Sequence, residues 1–272
     1  MEIQWPLLLF SLIAGCGGAT FAFVGISELL GAAEKARFKA TIAAIALMIV
    51  GGLCSVAHLG QPSNIMAAAQ NLFSFSGISM EIIALGLAVI VALIYLIAIR
   101  GGNFGGASKA LGVCGIVVGL LLGFVTGNGY VMQAQPAWNT IALPLAYLGT
   151  DLPMGAFTFL AIASLSGVDG EELKKFDTAA IACAVAAPVL CLIYGFMVQF
   201  ALDPVLFWGG TIVIGALTCL FAWKRGTNAN MVYGGLACAI ACGICLRAVM
   251  WLAGSGFFDL FATAATRSVL GI

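Results

Sequence analysis

A chain of 272 residues with 62% hydrophobic and only 8% charged residues lies far from the roughly 25% charge of soluble domains, which excludes an ordinary soluble fold and makes an integral membrane protein the expected class. Eleven basic and eleven acidic residues cancel, leaving no basic surface for nucleic acid, whose phosphates demand one. Lipid, apolar ligands and protein remain as partners.

In chain order, the amino terminus "MEIQWPLLLF" lacks a positively charged n-region, so the first apolar segment is expected to stay in the membrane rather than be cleaved as a signal. At about 20 apolar residues per crossing, the chain reads as a single transmembrane domain over 1–272 with spans at about 5–30, 40–59, 77–99, 109–132, 141–166, 178–200, 206–223 and 231–253. This predicts an all-α integral membrane protein, an eight-transmembrane-helix bundle. Breakers separate the spans: "GQPSN", "RGGNFGGASK", "QAQPAWNT", "GVDGEELKK", "ALDP" and "KRGTNAN". The stretch "NIMAAAQNLF" between spans two and three has the composition of a short interfacial helix.

The basic residues sort by loop. Lys35, Arg37 and Lys39 follow span one, Arg100 and Lys109 bracket the next odd loop, Lys174 and Lys175 follow span five, and Lys224 and Arg225 follow span seven. The loops after spans two, four and six hold no Lys or Arg. By the positive-inside rule the basic loops are cytoplasmic, so both termini are expected on the extracytoplasmic side. No internal repeat stands out between the halves, which weighs against a transporter of inverted repeats.

Nine cysteines all fall in apolar stretches, where a thiol behaves as a small hydrophobe, and no disulfide framework is expected. Cys238, Cys242 and Cys245 in "CAIACGIC" have the spacing of a cluster-binding signature. On a helix that spacing instead lines one face with small residues, which transmembrane packing uses.

Ionisable groups inside spans cost about 2.5–3.5 kcal/mol each on the insertion scale and are functional candidates by default. His58, the only histidine, ends span two, and Glu81 lies about one turn into span three from the same face. Asp151 sits ten residues into span five, and Arg247 is some six residues short of the outer end of span eight. Asn128, Tyr130, Gln133 and Gln199 lie at similar depth. Together they predict a polar pocket opening toward the outer leaflet. Each also has a plain structural reading: His58 as a helix-end interface residue, Glu81 as an N-terminal dipole partner, Asp151 with Arg247 as a buried ion pair. Glu28, near the cytoplasmic end of span one, is expected to pair with Lys35. A single histidine provides no imidazole pair for a haem.

These residues carry a resemblance. "HLGQPSN" with "SMEI", then "PAWNTIALPLAYLGTDLPMGAFTFLAIASLSGVDG" and "CLRAVMWLAG", resemble the DmsC-type membrane anchor subunit of dimethyl sulfoxide reductase, a molybdopterin oxidoreductase complex, along nearly the whole chain. The resemblance implies a subunit that anchors a molybdopterin catalytic subunit and a four-cluster iron-sulfur subunit to the bacterial cytoplasmic membrane and oxidises menaquinol in anaerobic respiration. It makes His58 and Glu81 the menaquinol-site and catalytic residues and Arg247 a site residue. Asp151, Asn128 and Tyr130 join them as expected quinol-binding groups from their depth. The sequence departs from the family pattern after the proline, with Ser63, Asn64 and Ile65 where a basic residue can occur. Histidine suits quinol chemistry because its ordinary pKa of ~6.5 lets it take and release protons near neutrality. The expected division of labour is His58 on a quinol oxygen, Glu81 relaying a proton outward, and electrons leaving to the iron-sulfur partner. Two other readings of the same polar groups stand beside this one: a secondary transporter or channel with an outer-half site, and a purely structural anchor.

Overall fold

The computed structural model describes residues 3–58, 70–101, 105–225 and 230–270, with backbone alone for 105 and 255–270. Among these residues the fold is helical, with eight helices long and apolar enough to cross a membrane. The helices are α1 Trp5–Leu30, α2 Glu34–Ala57, α3 Gly77–Arg100, α4 Gly105–Asn128, α5 Ala142–Leu165, the short α6 Gly170–Lys174, α7 Asp177–Met197, α8 Ile214–Lys224 and α9 Met231–Leu270. A 3₁₀ turn at Leu72–Ser74 precedes α3, and α8 continues a π-helical segment at Val205–Val213, together making the seventh crossing. The "HLGQPSN" turn after His58 and most of the expected interfacial helix lie outside the described residues.

Local chemistry sets the ends. Pro6 opens the first turn of α1, where its missing N–H leaves no bond unmade. Gly31, at φ 60°, closes that helix in the left-handed conformation, and its N–H and that of Ala32 return to the carbonyls of Glu28 and Ser27. Ser76 caps α3, accepting from the Ser79 N–H at 3.3 Å.

The crossings form two rings of four. In the first, α1, α2, α3 and α4 pack in sequence and α4 closes on α1; in the second, α5, α7, the π-α8 segment and α9 do the same. The rings join mainly through α1 and α4 against α5. Four crossings per ring is an even number, so the second half enters from the same side as the first and the two are parallel in orientation, not inverted.

Lipid offers little hydrophobic drive between helices, so close backbone approach does the packing. The glycines of α1 provide it. A Cβ on Gly18 would fall 2.9 Å from the Gly119 carbonyl oxygen, one on Gly17 2.9 Å from Met48, and one on Gly51 of α2 2.6 Å from the Ala14 nitrogen. A Cβ on Gly25 would overlap the Gly112 carbonyl of α4. Gly25→Ala is therefore expected to destabilise the bundle by roughly 1–3 kcal/mol, read as a lower midpoint of thermal unfolding in detergent. The cysteine face of α9 packs likewise: Cys242 Sγ donates to the Thr211 carbonyl at 3.3 Å and Cys245 Sγ fills the space above Gly210.

On the face with the basic loops, Glu28 pairs with Arg37 at 2.7 Å rather than with Lys35 as expected. The left-handed turn at Gly31 folds α2 back so that Arg37, near the start of α2, faces the end of α1. Its guanidinium also donates to the Ser27 hydroxyl and carbonyl. Tyr95 of α3 and Ser108 of α4 donate to the Glu28 carboxylate at 2.8 and 2.7 Å. One buried carboxylate thus ties all four helices of the first ring. Glu172, accepting from the Ala33 N–H at 2.7 Å, stitches the second ring to it.

Candidate functional site

Between α2 and α3 runs a groove of about 520 Å³ whose inner wall is Phe10 of α1 and Met48 of α2. It follows α3 from Ile78 to Ile90, roughly 18 Å at 1.5 Å per residue. Ile49, Leu53, Ile78 and Ile90 line it while remaining exposed, so it opens sideways, where lipid covers a membrane protein. Apart from the Ser55 hydroxyl, Glu81 is the polar side chain of the lining. No described residue donates a hydrogen bond to its carboxylate, which lies against the Cα of Gly129, just past the end of α4.

His58 forms the C-cap of α2, its N–H bonded to the Ser55 carbonyl at 3.2 Å, and its side chain is exposed. It stands about one turn beyond the groove-lining Ser55, at the end of the groove where Glu81 sits, and is not itself among the residues that line it. The residues beyond it that would complete this rim are outside the described set.

A second polar centre lies deeper, between α1, α5 and α9. Arg247 and Asp151, both wholly buried, form an ion pair at 2.8 Å. The remaining guanidinium hydrogens go to Ser11 Oγ at 2.9 Å, Ser11 O at 3.2 Å, Thr150 Oγ1 at 3.2 Å and Gly243 O at 3.2 Å. All five N–H donors of the arginine are thereby used. Its charge stands 4.5 Å from the centre of the Tyr147 ring, a favourable cation-π geometry. The second carboxylate oxygen of Asp151 has no described donor and occupies the space a side chain on Gly15 would need.

Tyr130 joins the two centres. It follows Gly129, against which the Glu81 carboxylate lies, it packs on Tyr147, over which Arg247 stands, and its phenol donates to the Leu7 carbonyl at 3.4 Å. Its ring packs on Trp138, Tyr147 and Trp251 with centroids 6.1, 5.7 and 5.7 Å away, and Trp138 donates to the Met250 carbonyl at 2.8 Å. This aromatic cap separates Arg247 from the neutral-loop face. Asn128, by contrast, is exposed at the end of α4, as are Gln133 and Gln199; the contribution of Asn128 is its carbonyl, which accepts from Val131 and shapes the turn carrying Gly129 and Tyr130.

Depth in the sequence points to Glu81, Asp151, Tyr130 and Arg247. Ser11 and Thr150 carry no such signal, because hydroxyls in transmembrane helices ordinarily bond back to their own backbone. Gly129 is likewise silent in a sequence with 35 glycines.

Eight crossings, a lateral apolar groove ending on a carboxylate and a buried ion pair behind it define a multi-pass integral membrane protein. Residues 1–205 match the model of the family described as DMSO reductase anchor subunit (DmsC), and the protein belongs to that family. It is 24% identical over 202 residues to the C subunit of the anaerobic dimethyl sulfoxide reductase of Escherichia coli (strain K12), a match covering 71% of this sequence and 69% of that protein.

Proposed function

We propose that this membrane anchor subunit oxidises menaquinol at the α2–α3 groove and passes the electrons to an iron-sulfur subunit, which feeds a molybdopterin catalytic subunit in the bacterial cytoplasmic membrane during anaerobic respiration. The observation that carries this reading is the groove itself: an apolar slot open to lipid with one carboxylate, Glu81, toward the end at which α2 terminates in His58. An isoprenoid quinol is an amphipath of that shape, an apolar tail with a polar head, and it reaches such a slot only through the bilayer. The DmsC family membership supports the anchor role and the two partner subunits.

The chemistry balances with these residues. A quinol becomes a quinone by losing two protons and two electrons. The His58 imidazole accepts a hydrogen bond from one hydroxyl, and the Glu81 carboxylate, with no described donor occupying it, is placed to receive the other. Both groups stand at the neutral-loop end, so protons leave on that side, and the electrons go to the iron-sulfur partner docked there. Arg247 and Asp151 act behind the aromatic cap, holding the backs of α1, α5 and α9 in register and placing a buried positive charge near Tyr130; with every N–H engaged, Arg247 does not bind the ligand directly. No haem is needed in this scheme, because the carrier that brings the electrons is itself the substrate.

Gly86 offers a clean test. It lines the groove, and a Cβ there would meet nothing within 4 Å, so Gly86→Leu fills the slot without disturbing the packing. Overfilling at 1–3 kcal/mol corresponds to a loss of roughly 5- to 150-fold in quinol-dependent reduction by the assembled complex. Reduction driven by an artificial electron-donor dye should be unchanged. Normal quinol turnover in Gly86→Leu would remove the groove from the mechanism.

A further inference from the structure

We infer that Gly129 is a positioning residue for Glu81: the bare Cα just past the end of α4 sets where the carboxylate stands at the head of the groove. The inference rests on the quinol-oxidation reading above and deepens it. A Cβ built on Gly129 would overlap Glu81 Oε1, and the three heavy atoms closest to it all belong to the Glu81 side chain. The Glu81 carboxylate therefore occupies the volume that any other residue at position 129 would fill.

Two further contacts fix the pair. A Cβ on Gly77, the first residue of α3, would lie 3.2 Å from the Gly129 carbonyl oxygen and 3.3 Å from its Cα, so the start of α3 is seated directly on this turn. Gly77 and Glu81 are four residues apart and share one helix face; both meet Gly129. The turn itself is anchored, with the Gly129 N–H bonded to the Val125 carbonyl at 3.0 Å and the next residue, Tyr130, wedged among Trp138, Tyr147 and Trp251. Gly129 does not have the positive φ seen at Gly31 and Gly167, so alanine suits its backbone. What an added methyl meets is the far end of a flexible side chain, which swings away into the groove. The glycine is there for the carboxylate.

The test is Gly129→Ala in the whole assembled complex, alone and combined with Glu81→Ala, with quinol-dependent turnover and binding of a soluble naphthoquinol analogue as readouts. A displacement of about 1 Å at a reacting group lowers rates by up to about a hundredfold. Gly129→Ala is thus expected to lose roughly 10- to 100-fold in quinol turnover while dye-driven turnover holds. In the Glu81→Ala background the same methyl should change neither residual turnover nor analogue binding, since no carboxylate remains to be moved. Equal losses in both backgrounds would mean that the methyl acts through the backbone and would overturn the inference, as would normal turnover in Gly129→Ala. Should Gly129→Ala fail to assemble, assembly restored by adding Glu81→Ala supports the contact, and assembly still lost overturns it. Glu81→Gln is the separate control: full quinol turnover there sinks the quinol reading itself, whereas a dead Glu81→Gln beside a normal Gly129→Ala sinks the positioning role alone.

Discussion

Replacing Glu81 with glutamine is expected to lower quinol-dependent turnover by about 10²–10⁴, the range that positioned general acid-base groups contribute, with dye-driven turnover and assembly unchanged. Glutamine keeps the shape and the contact with Gly129 but cannot accept a proton at the carboxylate. His58→Ala should reduce the same activity by a similar order, since the proposed hydrogen-bond acceptor for one quinol hydroxyl is lost. The two substitutions should not multiply: if one quinol head bridges both groups, the double variant falls little below the worse single one. Quinol and dye assays on one preparation provide the measurement. Full activity in both single variants, with the complex intact, would reduce the protein to a structural anchor.

Much of this arrangement is legible in the sequence, and its limits are those of a one-dimensional pattern. Hydropathy shows eight crossings because each must bury about 20 apolar residues in the bilayer. Depth arithmetic then places His58 and Glu81 near one level, since rise per residue is fixed once a helix end is known. Rotation about the helix axis is not fixed that way. It decides that Glu81 faces the α2–α3 groove and Gly129, that Ser11 faces Arg247, and that Asp151 meets the arginine rather than the groove. Glu28 illustrates the same limit: Lys35 is closer in sequence, yet the turn at Gly31 directs Arg37 onto the carboxylate. The grouping of the crossings into two rings is also hidden, because helix adjacency depends on where small residues allow close approach, which hydropathy does not show.

The ion pair behind the site yields the largest expected effect on stability. Arg247 and Asp151 are wholly buried, and removing one partner leaves an uncompensated charge among apolar helices. Arg247→Met is expected to cost about 3–5 kcal/mol, as for other broken buried pairs, and to show as a lower unfolding midpoint or loss of the assembled complex. It also removes the guanidinium donor from Ser11 O, Gly243 O and Thr150 Oγ1, whose helix and hydroxyl bonds remain. Combining Arg247→Met with Asp151→Ala removes both charges, and replacing a buried pair with apolar groups is often close to neutral. The double variant should therefore recover most of the lost stability. Its quinol turnover then separates two roles for the pair. If the pair only holds α1, α5 and α9 together, turnover returns with stability. If the buried positive charge near Tyr130 also tunes the quinol site, stability returns and turnover stays low, because the scaffold can be rebuilt from apolar side chains whereas the field at Tyr130 cannot.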